Sequence, residues 1–213
     1  MIPKIIWQTY ETPFNDLIPD AKKCIQTWID KNPTWEYRYM SSEDRESFVL
    51  NEFGKDWYDL FTSCNLGVIK ANIWRCMITY TYGGVYCDLD TICNEPIESW
   101  IKPEYDMTIS RDDDGNVEDF AIYVFASKPK SKVLELILKQ IKINLENNKL
   151  IRTDVIDLSG ETVWSNIIKD CEDKYNIYCY IKGSNIFKGK AVDHLGTFKK
   201  WDKDGYISWT KTI

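Results

Sequence analysis

Short strand-like segments alternate with longer helix-like segments along this chain, and that alternation limits the folds open to it more than any other feature. Residues 2–10 and 35–40 have the apolar or alternating patterns of strands, and apolar side chains recur at helical spacing over 20–31. A third unit runs from a helix over 68–82 into a strand over 85–90. Strands and helices that alternate in this way predict an α/β fold, in which helices flank a central, mostly parallel sheet.

The other predicted elements continue this pattern towards the end of the chain. Ser41 offers an N-cap for a helix that ends near Phe53. Beyond the strand over 85–90 we predict a turn at 112–116, strands at 121–127 and 178–181, helices at 131–147 and 162–170, and an irregular aromatic tail from Val192. No linker, internal repeat or low-complexity segment interrupts the 213 residues, so the sequence predicts a single domain.

Composition and charge exclude several classes of protein. The chain has 33 acidic and 27 basic residues and a net charge of −6, which argues against a dedicated nucleic-acid binder. One histidine excludes a His-rich metal site, and seven cysteines without a CxxC pair predict neither a zinc ribbon nor a closed set of disulfides. No signal peptide and no transmembrane segment are predicted, because no long apolar run is present. The expected location is therefore cytoplasmic.

Two carboxylates, Asp88 and Asp90, end the apolar segment that begins at Val85. Residues two apart in a strand point to the same side of the sheet, so these side chains are expected to lie together. Two neighbouring carboxylates repel each other unless a cation balances them, and Mn²⁺ or Mg²⁺ accepts such oxygen ligands. Open α/β sheets also bind ligands outside the carboxyl ends of their strands. The sequence therefore predicts a divalent-cation site here.

The helix that precedes this strand carries two further polar candidates. Asn72 and Arg75 are three residues apart, which places them on one helical face. The helix ends at Gly83 and Gly84, and the chain then leads directly to the Asp pair, so both sets can line one pocket. On periodicity alone, the simpler interpretation of this face is a solvated polar stripe.

Three segments carry a resemblance to a known family. Residues 2–9 (IPKIIWQT) resemble its first strand, with Trp7 where histidine is frequent, and 32–39 resemble its NP-x-(Y/W)-E-Y segment. Residues 70–90 resemble its core, in which an arginine-containing helix precedes Gly-Gly-x-Tyr-x-Asp-x-Asp. On these segments the chain is similar to glycosyltransferase family 32, which has a DXD sugar-binding motif and includes initiation-specific α-1,6-mannosyltransferases.

The resemblance implies a GT-A fold, a nucleotide-sugar donor, a glycan or glycoconjugate acceptor, and transfer with retention of anomeric configuration. A UDP-sugar is favoured over a GDP-sugar. The resemblance also implies a divalent cation, Mn²⁺ with Mg²⁺ as the alternative, that joins Asp90 to the donor diphosphate. Asp88 is expected to contact ribose or sugar hydroxyls and to contribute to the metal site, and Arg75 is expected to bind the donor sugar or its phosphate.

Other positions are carried over in the same way. The expected donor-binding residues are Trp7, Gln8, Thr9, Asn72, Arg75, Tyr86 and Asp88, with the first three meeting the base and ribose. Asn72 stands where the family usually has aspartate, which leaves donor choice open. His194 lies in a segment that resembles a closing motif, and it is expected to bind the metal or the diphosphate; an ordinary surface histidine is the alternative. Residues 1–98 then form the nucleotide-sugar-binding core, and 99–213 form the acceptor side and closing tail.

Two other classes remain open at this stage. Residues 85–91 also fit the first motif of haloacid-dehalogenase-like phosphatases, although that motif normally lies near the N-terminus. A catalytically weak module that binds sugar nucleotides or glycans is the non-enzymatic alternative, and Asn72 is its motivation. Transfer or hydrolysis of a nucleotide sugar separates the enzyme from the binder, and cleavage of p-nitrophenyl phosphate reveals a phosphatase.

Overall fold

Strands and helices alternate in the computed structural model, which describes residues 1–111, 119–147, 155–180 and 190–195. The strands are β1 (Ile5–Thr9), β2 (Glu36–Met40), β3 (Gly84–Cys87), β4 (Thr91–Cys93), β5 (Met107–Arg111), β6 (Phe120–Ser127), β7 (Ile177–Tyr180) and β8 (Val192–His194). The helices are α1 (Pro19–Lys31), α2 (Ser42–Ser63), α3 (Gly67–Tyr82), α4 (Lys132–Asn147), α5 (Val155–Leu158) and α6 (Glu161–Cys171).

The central sheet has six strands in the order β2-β1-β3-β6-β5-β7. β1 pairs in parallel with β2 and β3, β5 pairs in parallel with β7, and β6 runs antiparallel to both of its neighbours. Five strands therefore share one direction, which confirms the predicted mostly parallel α/β sheet. β4 and β8 form a separate antiparallel pair.

Apolar side chains cover both faces of the sheet. One cluster joins the sheet to α3, α4 and α6 and contains Trp74, Phe125 and Trp164. The other lies on the opposite face, where Trp28 of α1 packs in the same cluster as Val85. β3 is buried between these two layers. Its packing therefore fixes the position from which the segment after its carboxyl end begins.

The junction between α3 and β3 depends on two glycines. Gly83 ends α3 with φ 68°, and Gly84 begins β3 with φ 101°, a backbone region that L side chains rarely adopt. A Cβ atom on Gly84 would lie 2.5 Å from the carbonyl oxygen of Ile5. The predicted helix end at Gly83 is therefore confirmed, and the second glycine allows β3 to approach β1 closely.

The N-terminus of α2 has the predicted cap. The Ser41 hydroxyl accepts a hydrogen bond from the Asp44 N–H, and the Asp44 carboxylate accepts one from the Ser41 N–H. The predicted end near Phe53 is wrong, because the helix continues to Ser63. The backbone departs from helical geometry at Gly54, where φ is 79°. The predicted end at Phe53 therefore lies next to this break, and the helical turns after the break were not predicted.

Several elements differ from the sequence-based expectations. β4, β5, β8 and α5 were not predicted, and the expected irregular tail is wrong at Val192–His194, which forms β8. β3 ends at Cys87, so Asp88–Asp90 form a turn rather than the end of the strand. The predicted turn at 112–116 and the aromatic tail beyond 195 lie outside the described residues.

The cysteines and the lengths of the helices bear on two of the sequence-based predictions. All seven cysteines lie within the described residues and none forms a disulfide. In the described part of the chain, no helix combines the length and apolar character that crossing a bilayer requires. The cytoplasmic location stays a prediction.

Candidate active site at the carboxyl end of β3

The turn Asp88–Asp90 is held by backbone hydrogen bonds from two directions. The Asp88 N–H donates to the carbonyl oxygen of Tyr123 in β6 at 2.8 Å, and the Leu195 N–H donates to the carbonyl oxygen of Asp90 at 3.0 Å. The two carboxylates were expected to lie together because residues two apart in a strand point to the same side. That reason is wrong, because β3 ends at Cys87 and both residues lie in the turn that follows. The turn nevertheless brings the two carboxylates together.

His194 joins these carboxylates. β8 pairs with β4 so that His194 lies opposite Thr91, directly after the turn. The imidazole Nε2 is 3.4 Å from Asp90 Oδ1, and the ring stacks on Tyr123 with centroids 4.2 Å apart. One ligand atom each from Asp88, Asp90 and His194 lies within 4.8 Å of the others. The cluster matches the predicted metal residues, although β8 itself was not predicted.

This donor set fits a divalent cation of the Mn²⁺ or Mg²⁺ type. Such ions hold oxygen and nitrogen ligands at about 2.0–2.2 Å, so two opposite ligands are about 4.3 Å apart. Three ligands of one ion include at most one opposite pair, so the cluster, whose ligand atoms lie within 4.8 Å of one another, has to close when an ion binds. The Asp88 and Asp90 side chains are 24% and 15% exposed, so solvent reaches both. Two carboxylates and one imidazole leave further positions open for phosphate oxygens or water.

Arg75 lies on the inner side of this cluster. Its Nη2 atom is 3.1 Å from Asp88 Oδ1, and Nη1 donates to the carbonyl oxygen of Ile122 at 2.8 Å. The guanidinium also lies over the Tyr86 ring, 4.7 Å from its centroid. Burial alone would lower the pKa of Arg75, but the negative groups around it, with Asp88 first among them, together outweigh burial and the pKa is raised. Arg75 is therefore a permanent positive charge behind the carboxylates.

Tyr86 completes the surroundings of Asp88. Its hydroxyl donates to Asp88 Oδ1, the same oxygen that faces Arg75. Burial raises the pKa of Tyr86 well above its ordinary value, so the phenol remains a donor. Burial also raises the pKa of Asp88, with Arg75 opposing that effect and Asp90 adding to it. One oxygen of Asp88 is thus fixed by the protein, which leaves the other to face a ligand.

Asn72 is buried on the same face of α3 as Arg75, so the interpretation as a solvated stripe is wrong. Its Nδ2 donates to the hydroxyl of Ser159 at 3.3 Å. Ser159 and Gly160 lie just before α6, whose first residue, Glu161, adds to the field that raises the pKa of Arg75. Sequence reasoning did not place this segment beside Asn72, because Ser159 lies 87 residues further along the chain.

The three residues predicted to meet the base and ribose have other partners in this structure. Trp7 is fully buried, and its indole N–H donates to the carbonyl oxygen of Gly83 at 2.8 Å. Gln8 donates to the carbonyl oxygen of Asp88 at 3.0 Å, and the Thr9 hydroxyl donates to that of Met40 at 2.7 Å. All three residues are buried, and Gln8 contacts the backbone of the Asp turn. Their contacts with the base and ribose stay predictions.

The fold is shared with solved glycosyltransferases. The structure titled PaToxG Glycosyltransferase matches with a TM-score of 0.62 and 18% identity, covering 79% of this chain and 69% of that one. The UDP-bound glycosyltransferase domain from the YGT toxin matches with a TM-score of 0.52 and 10% identity over 99% of this chain and 88% of that one. The sheet and its flanking helices thus form a GT-A fold.

The sequence comparisons indicate a family. Residues 19–107 match the family described as the glycosyltransferase sugar-binding region containing the DXD motif. The initiation-specific alpha-1,6-mannosyltransferase of Schizosaccharomyces pombe is 24% identical over 195 residues, which are 79% of this chain and 48% of the relative. The inositol phosphoceramide mannosyltransferase 2 of the same organism is 30% identical over 149 residues, which are 69% of this chain and 40% of the relative. The chain is therefore similar to this DXD-containing glycosyltransferase family over residues 19–107.

The length of these matches limits what they establish. The chain spans about half the length, or less, of these two curated relatives. The matched family segment contains α3, the glycine pair and the Asp turn, which are the elements that build the cluster described above. It ends before β8, so the comparison with the family description does not cover His194.

Proposed function

We propose that this chain is a metal-dependent glycosyltransferase that moves a sugar from a nucleotide-sugar donor to a hydroxyl group of a glycan or other acceptor. One observation carries the proposal: the Asp88–Asp90 turn of a GT-A fold brings two carboxylates and an imidazole together beside a buried arginine. A mannosyl donor is a reasonable first class to test, because the two relatives compared above are named mannosyltransferases.

The chemistry of transfer suits these charges. Breaking the anomeric C–O bond builds positive charge on the sugar and negative charge on the departing diphosphate. A cation held by Asp88, Asp90 and His194 supplies Lewis-acid stabilisation of that diphosphate when it is bound. Arg75 adds a fixed positive charge that needs no reorganisation during the reaction, because Asp88 and the Ile122 carbonyl already orient it.

The site supports finer assignments as part of the proposal. Asn72 and Arg75 on α3 would contact the donor sugar or its phosphate, and Tyr86 would support the nucleotide side through Asp88. A UDP-sugar is proposed over a GDP-sugar, with Mn²⁺ as the ion and retention as the stereochemical outcome. We assign no carboxylate as a covalent nucleophile. The division into a donor-binding core over 1–98 and an acceptor side over 99–213 belongs to the same proposal.

A thermal-shift screen followed by turnover assays tests this function. UDP- and GDP-sugars are added with and without Mn²⁺, and a donor at 100 times its dissociation constant should stabilise the protein by about 2.7 kcal/mol. Asp90→Asn should lose the metal-dependent shift. Asp106→Asn is the matched control, because Asp106 pairs with Lys128 just before β5, level with the start of β3 and so at the opposite end of the strands from the Asp turn.

The same assays separate the alternatives. Binding of a nucleotide sugar without any hydrolysis or transfer would favour the binding module. Cleavage of p-nitrophenyl phosphate would favour the phosphatase, although the GT-A fold and the similarity to the DXD-containing family argue against it. No stabilisation by any nucleotide sugar, with or without Mn²⁺, would contradict the proposed function.

A further inference from the structure

We infer that Tyr37 and Gln8 form a positioning pair that sets the Asp88–Asp90 turn for cation binding. Neither residue is assigned to the metal, and neither contributes a ligand atom to the cluster. The inference rests on the proposed function in one respect, namely that the turn binds a divalent cation.

The pair reaches the turn through one atom. Gln8 Nε2 donates to the backbone carbonyl oxygen of Asp88 at 3.0 Å, and the Tyr37 hydroxyl donates to Gln8 Oε1 at 2.9 Å. β1 and β2 are parallel neighbours in which Tyr37 pairs with Ile6, two residues before Gln8. Residues two apart in a strand point to the same side of the sheet, so the Tyr37 and Gln8 side chains lie on one face. The path Tyr37 to Gln8 to Asp88 therefore joins the edge strand of the sheet to the metal-binding turn.

Each partner has the chemistry that this path needs. Gln8 is fully buried, and an amide is the side chain of this shape that accepts from a hydroxyl and donates to a carbonyl at once. The Asp88 carbonyl oxygen only accepts, so it selects the NH₂ end of the Gln8 amide, and the Tyr37 hydroxyl donates to the other end. Burial raises the pKa of Tyr37 far above its ordinary value, so that donor persists at every usual assay pH.

The same carbonyl oxygen is also held from the opposite direction. The Thr91 hydroxyl donates to it at 2.6 Å, and the Trp28 indole N–H of α1 donates to that hydroxyl oxygen at 3.1 Å. The Asp88 carbonyl therefore lies between β1 and α1, and its position sets the directions of the two carboxylates that follow the strand. Partners of this kind around metal ligands typically affect metal affinity by about 10–100-fold when removed.

The test compares two substitutions in one strand. Tyr37→Phe removes the hydroxyl that orients Gln8 and keeps the ring. Tyr39→Phe is the matched control, because its hydroxyl also donates to a carbonyl oxygen, that of Thr12 at 2.6 Å, in a path that does not touch the Asp turn. Gln8→Glu is a second probe, since a carboxylate of the same shape cannot donate to the Asp88 carbonyl.

Mn²⁺ alone is the ligand, and its affinity is measured by calorimetry and by loss of the free-ion electron paramagnetic resonance signal. We expect Tyr37→Phe and Gln8→Glu to weaken Mn²⁺ binding by about tenfold or more, and Tyr39→Phe to change it less than twofold. In the metal-free protein, hydrogen exchange should become faster for the amides of 89–91 in Tyr37→Phe than in wild type. In Tyr37→Phe, the Mn²⁺ concentration for half-maximal activity should rise while kcat at saturating Mn²⁺ changes little.

The outcomes separate this inference from the proposed function. If the wild-type protein binds Mn²⁺ tightly and both test variants have the same affinity, the positioning role is wrong and the metal site is still supported. Equal losses in Tyr37→Phe and Tyr39→Phe also overturn the positioning role, because they indicate a general effect of weakening β2. If the wild-type protein binds no Mn²⁺, both the metal site and this inference are wrong.

Discussion

The guanidinium of Arg75 pairs with the carboxylate of Asp88 at 3.1 Å inside the protein, where the Arg75 side chain is only 5% exposed. Burying an isolated charge costs free energy, and each partner of this pair reduces that cost for the other. Asp88 thus balances a cation within the fold, and it also belongs to the cluster that we propose as the metal site. Among the described residues, the ion pair of the Asp90 carboxylate is with His194, and no buried arginine or lysine pairs with it.

The two aspartates should therefore differ in what their removal does to stability. Asp88→Ala leaves Arg75 buried without its counterion and should lower the free energy of unfolding by about 2–4 kcal/mol. Asp90→Ala should change it by less than about 1 kcal/mol, while it abolishes Mn²⁺-dependent nucleotide binding. Urea denaturation and calorimetry of both variants measure this. Equal losses of stability would show that the Arg75–Asp88 pair is not formed as described.

Activity should fall in both variants. We expect Asp88→Ala to lose about 100-fold or more in kcat/KM, as is typical when a charged partner of the transition state is removed. Asp88→Asn is the control that keeps the shape and an acceptor for Tyr86, so it should recover part of the stability without recovering activity. Unchanged activity in Asp90→Ala would contradict the assignment of the turn.

Arg75→Lys tests how the guanidinium acts. Arginine here bonds in two directions, to Asp88 and to the Ile122 carbonyl, and a lysine ammonium cannot reproduce that planar geometry. We expect sugar-nucleotide binding to weaken by about tenfold or more, with UDP binding less affected. Titration calorimetry with both ligands measures the difference. Equal losses of affinity for the two ligands would show that Arg75 does not contact the donor sugar.

Much of the donor-side architecture follows from the sequence, because its signals are local. Alternating strands and helices predicted the sheet, and the glycine pair predicted the end of α3. The Asp pair and His194 were both identified, although His194 came from a resemblance and not from any pattern near it. β8 was missed because three residues carry too little periodicity, and their pairing with β4 is a long-range contact that the local sequence does not encode.

Residue roles were harder to predict than residue positions. Trp7 and Gln8 end the first strand, where a ligand was expected, yet both side chains point into the protein and bond to other segments of the chain. Ser159 lies 87 residues from Asn72, and the packing of α5 against α3 brings them together. Which side of a buried strand faces a cleft depends on such tertiary contacts, and sequence periodicity does not report them.

Gly84 offers a test of the α3–β3 junction. Gly84→Ala requires a left-handed φ of 101° and places a methyl group 2.5 Å from the Ile5 carbonyl oxygen. Gly54→Ala is the matched control, since φ is 79° but no atom lies within 4 Å of the added carbon. Strain alone costs about 1–3 kcal/mol, so Gly84→Ala should lose clearly more stability than Gly54→Ala in urea denaturation. Equal losses would mean that β3 can move away from β1.

Asn72 is the clearest departure from the family, and Asn72→Asp tests its role. The amide donates to Ser159 at 3.3 Å in a buried position on the face of α3 that also carries Arg75. An aspartate can instead accept from the Ser159 hydroxyl, and its charge would be partly balanced by Arg75 three residues on. Hydrogen bonds to a carboxylate are roughly twice as strong as those to an amide, so donor-sugar hydroxyls would be held more tightly.

Two results of Asn72→Asp would both place this residue at the donor. A general rise in hydrolysis or transfer would mean that asparagine weakens an otherwise ordinary site. A changed ranking of donors without a general rise would mean that the amide is matched to a particular sugar substituent. Because the added charge also repels a diphosphate, binding and turnover are measured separately over a panel of UDP- and GDP-sugars, with Ser159→Ala as the control that removes only the hydroxyl partner. Identical donor profiles and rates for wild type and Asn72→Asp would show that Asn72 does not contact the donor, and the face of α3 would then be a structural element behind the site.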